Sequence, residues 1–181
     1  PNSPDGWQLI ALAYKGLGQS GDAEQAFLKS IEILEQPHVL TNLANLYRST
    51  GRLKEAVEIY ERALVLQSDN VPCQINLART LLDLKQLDIA EKHFANVVQR
   101  VPEHINARIG LAQVLQLKGL QQEALGLFQS VLQSAPDNSA ALNGLGISLK
   151  VLGYLDDATE VLLSAALASP EAPEIQSNLA S

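Results

Sequence analysis

The sequence predicts an all-α fold, an α-solenoid of five helix-turn-helix units followed by the start of a sixth. Two observations predict it. Ala23, Ala56, Ala90, Ala124 and Ala158 follow one another at spacings of 33, 34, 34 and 34 residues. Four residues after each Ala stands a large apolar side chain: Phe27, Tyr60, Phe94, Phe128 and Leu162. Self-similarity at such a period marks stacked supersecondary units, each of which buries its apolar surface only against its neighbours.

The elements can be justified in chain order. The first unit, 4–36, carries Trp7, Ile10, Ala11 and Tyr14 at helical spacing, a turn at Gly18, then Ala23 and Phe27. The second, 37–70, repeats this with Leu43, Ala44 and Tyr47, Gly51, then Ala56 and Tyr60. The third, 71–104, has Leu77, Ala78 and Leu81, with Lys85 where the others place Gly, then Ala90 and Phe94. The fourth, 105–138, has Leu111, Ala112, Leu115, Gly119, Ala124 and Phe128. The fifth, 139–172, has Leu145, Gly146, Leu149, Gly153, Ala158 and Leu162. Residues 173–181 return to the first-helix phase, with Leu179 and Ala180 where Leu145 and Gly146 stood. They read as the start of a sixth unit or as a terminal helix.

Each residue type has a physical reason to be where it is. The apolar positions recur with the period of a one-sided helix. Gly at the turn takes a positive φ, which ends the first helix and reverses the chain. Small residues at the crossing let two axes approach closely, so a Leu at Ala90 or Ala124 should overpack at a cost of about 1–3 kcal/mol. Pro102, Pro136 and Pro170 cannot continue a helix and so close the third, fourth and fifth units.

With these residues in view, the chain resembles the tetratricopeptide repeat (TPR) family, whose pattern runs W-x2-L-G-x2-Y, then A-x3-F, then P. Trp7, Ile10, Ala11, Tyr14, Ala23 and Phe27 carry the fullest match, and the resemblance extends from Pro4 to Pro170. It implies a right-handed TPR superhelix forming a single domain over 1–181. It also implies that the first helix of each repeat lines a concave groove, while the second faces the convex side. The chain has no Met, and its sixth unit is incomplete. From this the chain is expected to be a piece of a longer protein. Repeat ends without polar caps are expected to allow self-association.

Little in the sequence points to chemistry. Cys73 is the only cysteine, placed as a small packed residue, and His38, His93 and His104 fall at unrelated repeat positions. No Cys/His spacing suits a metal. Gly16-Leu17-Gly18 and Gly144-Leu145-Gly146 lie in helical hairpins rather than after a strand, where a phosphate loop would stand. The expectation is therefore no catalytic residue, no metal and no cofactor. A net charge of −7 argues against nucleic acid as a partner, and no apolar run approaches the length of a membrane span.

The expected activity is protein–protein interaction, with a peptide or protein segment held in the concave groove. First-helix cations Lys15, Arg48, Arg79, Arg108, Lys118 and Lys150 outnumber Asp5 and Asp83, so a mildly basic groove is expected inside an acidic protein. That groove would suit an acidic or extended segment. The acids gather on second helices, where Lys54–Glu58 and Glu58–Arg62 stand at pairing distance along the chain. Amides are the second groove feature. Asn42, Asn76 and Asn178 share one repeat position, with Asn45, Gln113, Gln116 and Asn143 on first helices nearby. A carboxamide both donates and accepts, so a row of them can hold a peptide backbone.

The candidate groove set is thus Asn42, Asn45, Arg48, Asn76, Arg79, Gln113, Gln116, Asn143 and Lys150. The row is similar to the asparagine row of O-linked N-acetylglucosamine transferases, although Leu9, Gly110 and Gly144 interrupt it. The clamp that other TPR proteins use for chaperone tails fits poorly, because Thr41, Asn106 and Gly110 stand where its basic residues belong. Two alternatives accompany the scaffold reading. One is a substrate-recruiting array of a glycosyl- or sulfotransferase. The other is an assembly factor similar to the TPR lipoproteins of bacterial pilus systems, on the strength of the segment 142–149 and Ser177-Asn178-Leu179-Ala180.

Overall fold

A computed structural model describes residues 3–180, and among these every regular element is helical. First helices of 13 residues alternate with second helices of 14 residues. In order they are α1 (Pro4–Gly16), α2 (Ser20–Ile33), α3 (Pro37–Ser49), α4 (Leu53–Leu66), α5 (Val71–Asp83), α6 (Leu87–Arg100), α7 (Ile105–Leu117), α8 (Gln121–Ser134), α9 (Ser139–Val151), α10 (Leu155–Ala168) and the shorter α11 (Pro173–Ala180).

Local sequence explains where each helix starts and stops. α1, α3 and α5 open with Pro in the first turn, where a missing N–H costs nothing. Ser3, Asn70, His104 and Asn138 cap α1, α5, α7 and α9 by accepting a backbone N–H three residues on. First helices end in one repeated motif. The N–H five residues beyond Tyr14, Tyr47, Leu81, Leu115 and Leu149 returns to their carbonyls at 2.9–3.0 Å. The residue before each of those donors has positive φ: Gly18 at 74°, Gly51 at 79°, Lys85 at 61°, Gly119 at 81° and Gly153 at 89°. Lys85 therefore adopts the backbone that Gly supplies in the other four turns. Second helices α6, α8 and α10 stop two residues before Pro102, Pro136 and Pro170, as the restriction on a residue preceding proline requires.

The chain divides after Gln86 into two compact units. The N-terminal unit contains α1 to α5. Its core holds the helix-crossing Ala23 and Ala56, together with Phe27, Tyr60, Leu43 and Leu77, all fully buried. Ser30 Oγ donates to the Pro4 carbonyl at 2.8 Å and ties α2 to the start of α1. Cys73 is buried, with its sulfur 3.5 Å from the Tyr60 carbonyl, and burial raises the pKa of its thiol.

The C-terminal unit contains α6 to α11. Ala90, Ala124, Phe94 and Phe128 are fully buried there, and Ala158 and Leu162 nearly so. α11 joins this unit as a packed element: Ile175 is buried against Leu142 and Ala165. The two glycines that interrupt the amide row have a steric cause. A Cβ on Gly110 would fall onto the Phe94 ring, and one on Gly144 onto the Phe128 ring. Asn at either position would have to displace a buried aromatic side chain.

Candidate functional site

In the N-terminal unit, α3 presents Asn42, Asn45 and Arg48, and α5 presents Asn76 and Arg79, all half-buried. The two helices meet through these side chains. Asn76 Nδ2 donates to Asn45 Oδ1 at 3.0 Å, and the Tyr60 hydroxyl donates to the same oxygen at 2.5 Å. Burial pushes the Tyr60 phenol well above its ordinary pKa, so it remains a donor. The Asn45 oxygen is therefore structural, a role its repeat position did not reveal. The Asn45 NH2 group and the Asn76 carbonyl oxygen make no hydrogen bond with the described residues, and neither does the Asn42 amide.

The basic side chains differ more from expectation. Arg48 is not a free groove cation: its Nη2 lies 3.1 Å and its Nε 3.3 Å from Asp83 Oδ2 on α5. Arg79 has no hydrogen bond or ion pair with any described residue. Burial and then the nearby Arg48 charge lower its pKa, and Asp83 only partly offsets them.

In the C-terminal unit, Gln113 is exposed on α7, while Gln116, Asn143 and Lys150 are half-buried on α7 and α9. Gln116 Nε2 donates to the Gly144 carbonyl and to Ser148 Oγ, both at 2.8 Å. Its donor end is thereby fixed between first helices. Asn143 Oδ1 accepts from Asn178 Nδ2 at 2.9 Å. Lys150 and Asn178 line a small cavity of about 210 Å³ with Leu155, Ala158, Thr159 and Leu162.

Two further first-helix cations expected in the groove are occupied elsewhere. Lys118 Nζ meets Asp88 Oδ1 at 2.8 Å and Glu91 Oε2 at 2.7 Å on α6. These two carboxylates hold its pKa above the ordinary lysine range. Arg108 is buried and bonds to the Pro102 carbonyl, the Ser130 carbonyl at 3.2 Å and Glu103 at 2.7 Å. It pins the loop before α7 to α8. The expected pairs Lys54–Glu58 and Glu58–Arg62 do not form. Arg62 pairs instead with Glu35 in the connection from α2 to α3, a contact between successive repeats. Repeat stacking brings these long-range partners together, and spacing along a single helix cannot show them.

The first helices thus carry amides, the paired Arg48 and Arg108, the unpaired Arg79, and no assembled nucleophile–base pair among the described residues. No cluster of His, Cys, Asp or Glu among them could hold a metal, and no helix is long and apolar enough to cross a membrane. Such faces suit molecular recognition. Models of the tetratricopeptide repeat match residues 4–35, 39–71, 75–139 and 121–181. The chain belongs to the tetratricopeptide repeat family, and its fold is the TPR α-solenoid. Over 174 residues it is 25% identical to the human protein O-mannosyl-transferase TMTC1, a match covering 94% of this chain and 20% of that protein. The chain thus spans about a fifth of that relative's length. A TPR protein from Parabacteroides merdae superposes with a TM-score of 0.87 at 20% identity, over 99% of this chain and 72% of that one. YrrB, described as a TPR protein with an unusual peptide-binding site, superposes with a TM-score of 0.76 at 21% identity, over 94% of this chain and 89% of that one.

Proposed function

We propose that this chain is a non-catalytic protein-interaction scaffold. Its first-helix faces form a concave groove that holds an extended peptide or protein segment. The observation that carries this reading is the amide pair on α3 and α5. Asn45 and Asn76 are fixed against each other by a 3.0 Å bond, which leaves an NH2 donor on one and a carbonyl acceptor on the other. A donor beside an acceptor complements the backbone of an extended chain, whatever its side chains. Asn42, on the turn of α3 before Asn45, adds a second amide. Because Tyr60 and Asn76 hold Asn45 in place, little rotamer entropy is lost when a ligand arrives.

Panning a random peptide library against the chain tests this. Peptides retained by the wild type should be lost by Asn42→Ala/Asn76→Ala while the helical circular dichroism is unchanged. Equal retention by both proteins would place recognition away from these faces. The similarity to the O-mannosyl-transferase supports a second reading, in which such an array recruits substrate for a larger enzyme. The same amides would serve there, with the chemistry carried by another domain.

A further inference from the structure

We infer that the first-helix face of the N-terminal unit selects segments carrying an internal Asp or Glu side chain, and that Arg79 is the cation that receives the carboxylate. This rests on the groove reading above and adds a ligand class to it. Three charged side chains of α3 and α5 decide the matter: Arg48, Arg79 and Asp83. Asp83 lies one helical turn beyond Arg79 and could have paired with it, although Arg preceding Asp is the weaker order along a helix. Arg48 takes that carboxylate instead, with two donors on Asp83 Oδ2. Arg79 is left half-buried with all its N–H groups unengaged by the described residues. Its pKa is lowered, first by burial and next by Arg48, and the nearby Asp83 only partly offsets them, as expected of a cation with no direct ion pair.

A partly desolvated guanidinium binds a carboxylate more strongly than an exposed one, and its planar fork can donate to both oxygens. The amide groups left open on Asn42 and Asn45 of α3 and Asn76 of α5 lie on the two helices that carry this cluster. They suit a backbone running past Arg79, so an acidic side chain within a segment is the fitting occupant. The chain's net charge of −7 opposes long polyanions, but a single carboxylate beside Arg79 meets a local surplus of one positive charge.

The test uses the full chain and two pools of end-blocked dodecapeptides. All positions are random among uncharged residues except one central Glu in the first pool and Gln in the second. Blocking both ends removes terminal carboxylates as a source of binding. The wild type should retain the Glu pool about tenfold better than the Gln pool, the ratio expected of one charge-assisted hydrogen-bonded contact. Arg79→Gln should bring that ratio close to one, and Arg79→Lys should recover part of it. Asp83→Asn releases Arg48 and should raise the ratio above the wild-type value, a gain that damaged folding cannot imitate. If both pools bind the wild type equally and both are lost in Asn42→Ala/Asn76→Ala, the groove stands and the role of Arg79 is refuted. A Glu preference that survives Arg79→Gln also refutes it. Retention of neither pool at millimolar peptide overturns the groove reading together with this one.

Discussion

Lys85 is the one non-glycine among the described residues with positive φ, and replacing it should stabilise the protein. Its φ of 61° lies in the left-handed region that Gly18, Gly51, Gly119 and Gly153 occupy at the other turns. The hydrogen bonds of the turn are intact: Lys85 N to the Leu82 carbonyl and Gln86 N to the Leu81 carbonyl are both 2.9 Å. The cost is therefore backbone strain alone, the approach of Cβ to the carbonyl oxygen, worth about 1–2 kcal/mol. Gly removes the strain but adds unfolded-state entropy of roughly 0.5–1 kcal/mol. The net gain should be about 0.5–1 kcal/mol, or roughly 1–4 °C in Tm for a chain of this size.

Lys85→Ala is the control, because it removes the charge and keeps the strain. Gly51→Ala is the mirror experiment. A Cβ there meets nothing within 4 Å, so any loss comes from the backbone. Thermal and urea unfolding of the four proteins, followed by circular dichroism, should rank Lys85→Gly above wild type and Gly51→Ala below it. Lys85→Gly no more stable than Lys85→Ala would refute the argument that strain at this turn limits stability.

Three further outcomes follow from particular contacts. Gly144→Ala should lower stability by about 1–3 kcal/mol in urea titration, because the new methyl must displace the buried Phe128 ring. Burial and the hydrogen bond to Glu24 push the Tyr47 phenol up to about 12 from 10.0. The folded state therefore favours the protonated phenol. That contribution is complete below pH 10 and is lost as pH rises through 12, so Tyr47→Phe should flatten the alkaline limb of a stability–pH profile in this window. Cys73 is buried with a raised pKa, so its alkylation by iodoacetamide should follow global unfolding, with urea-dependent rates, and should vanish in Cys73→Ser.

The repeat frame was legible because it is enforced by sterics that recur. Ala23, Ala56, Ala90 and Ala124 are each fully buried where two helices cross, so no larger side chain fits. The turn glycines were legible for the same reason, and even the exception at Lys85 was visible as a break in the pattern. What could not be read was which side chains satisfy one another across repeats. The Tyr60 hydroxyl ends on Asn45 and the Gln116 amide on Gly144, and both depend on rotamers and helix offsets that a period of 34 does not encode. The glycine breaks at 110 and 144 were visible, but their cause in Phe94 and Phe128 required the packing.

Charge shows the same limit and changes the functional argument. A tally of first-helix cations suggests a mildly basic groove. In the structure Arg48 is neutralised by Asp83, Lys118 by Asp88 and Glu91, and Arg108 is a buried strut between a loop and α8. These pairs hold neighbouring helices together, and exposed ones add little stability each. Their greater effect on recognition is that they withdraw charge from the surface. On the proposed groove reading, a ligand approaching α3 and α5 would meet Arg79 rather than a basic field, and one partly desolvated arginine discriminates a carboxylate from an amide better than several screened lysines. On that reading selectivity would turn on Asp83, whose pairing with Arg48 sets whether this face offers one cation or two.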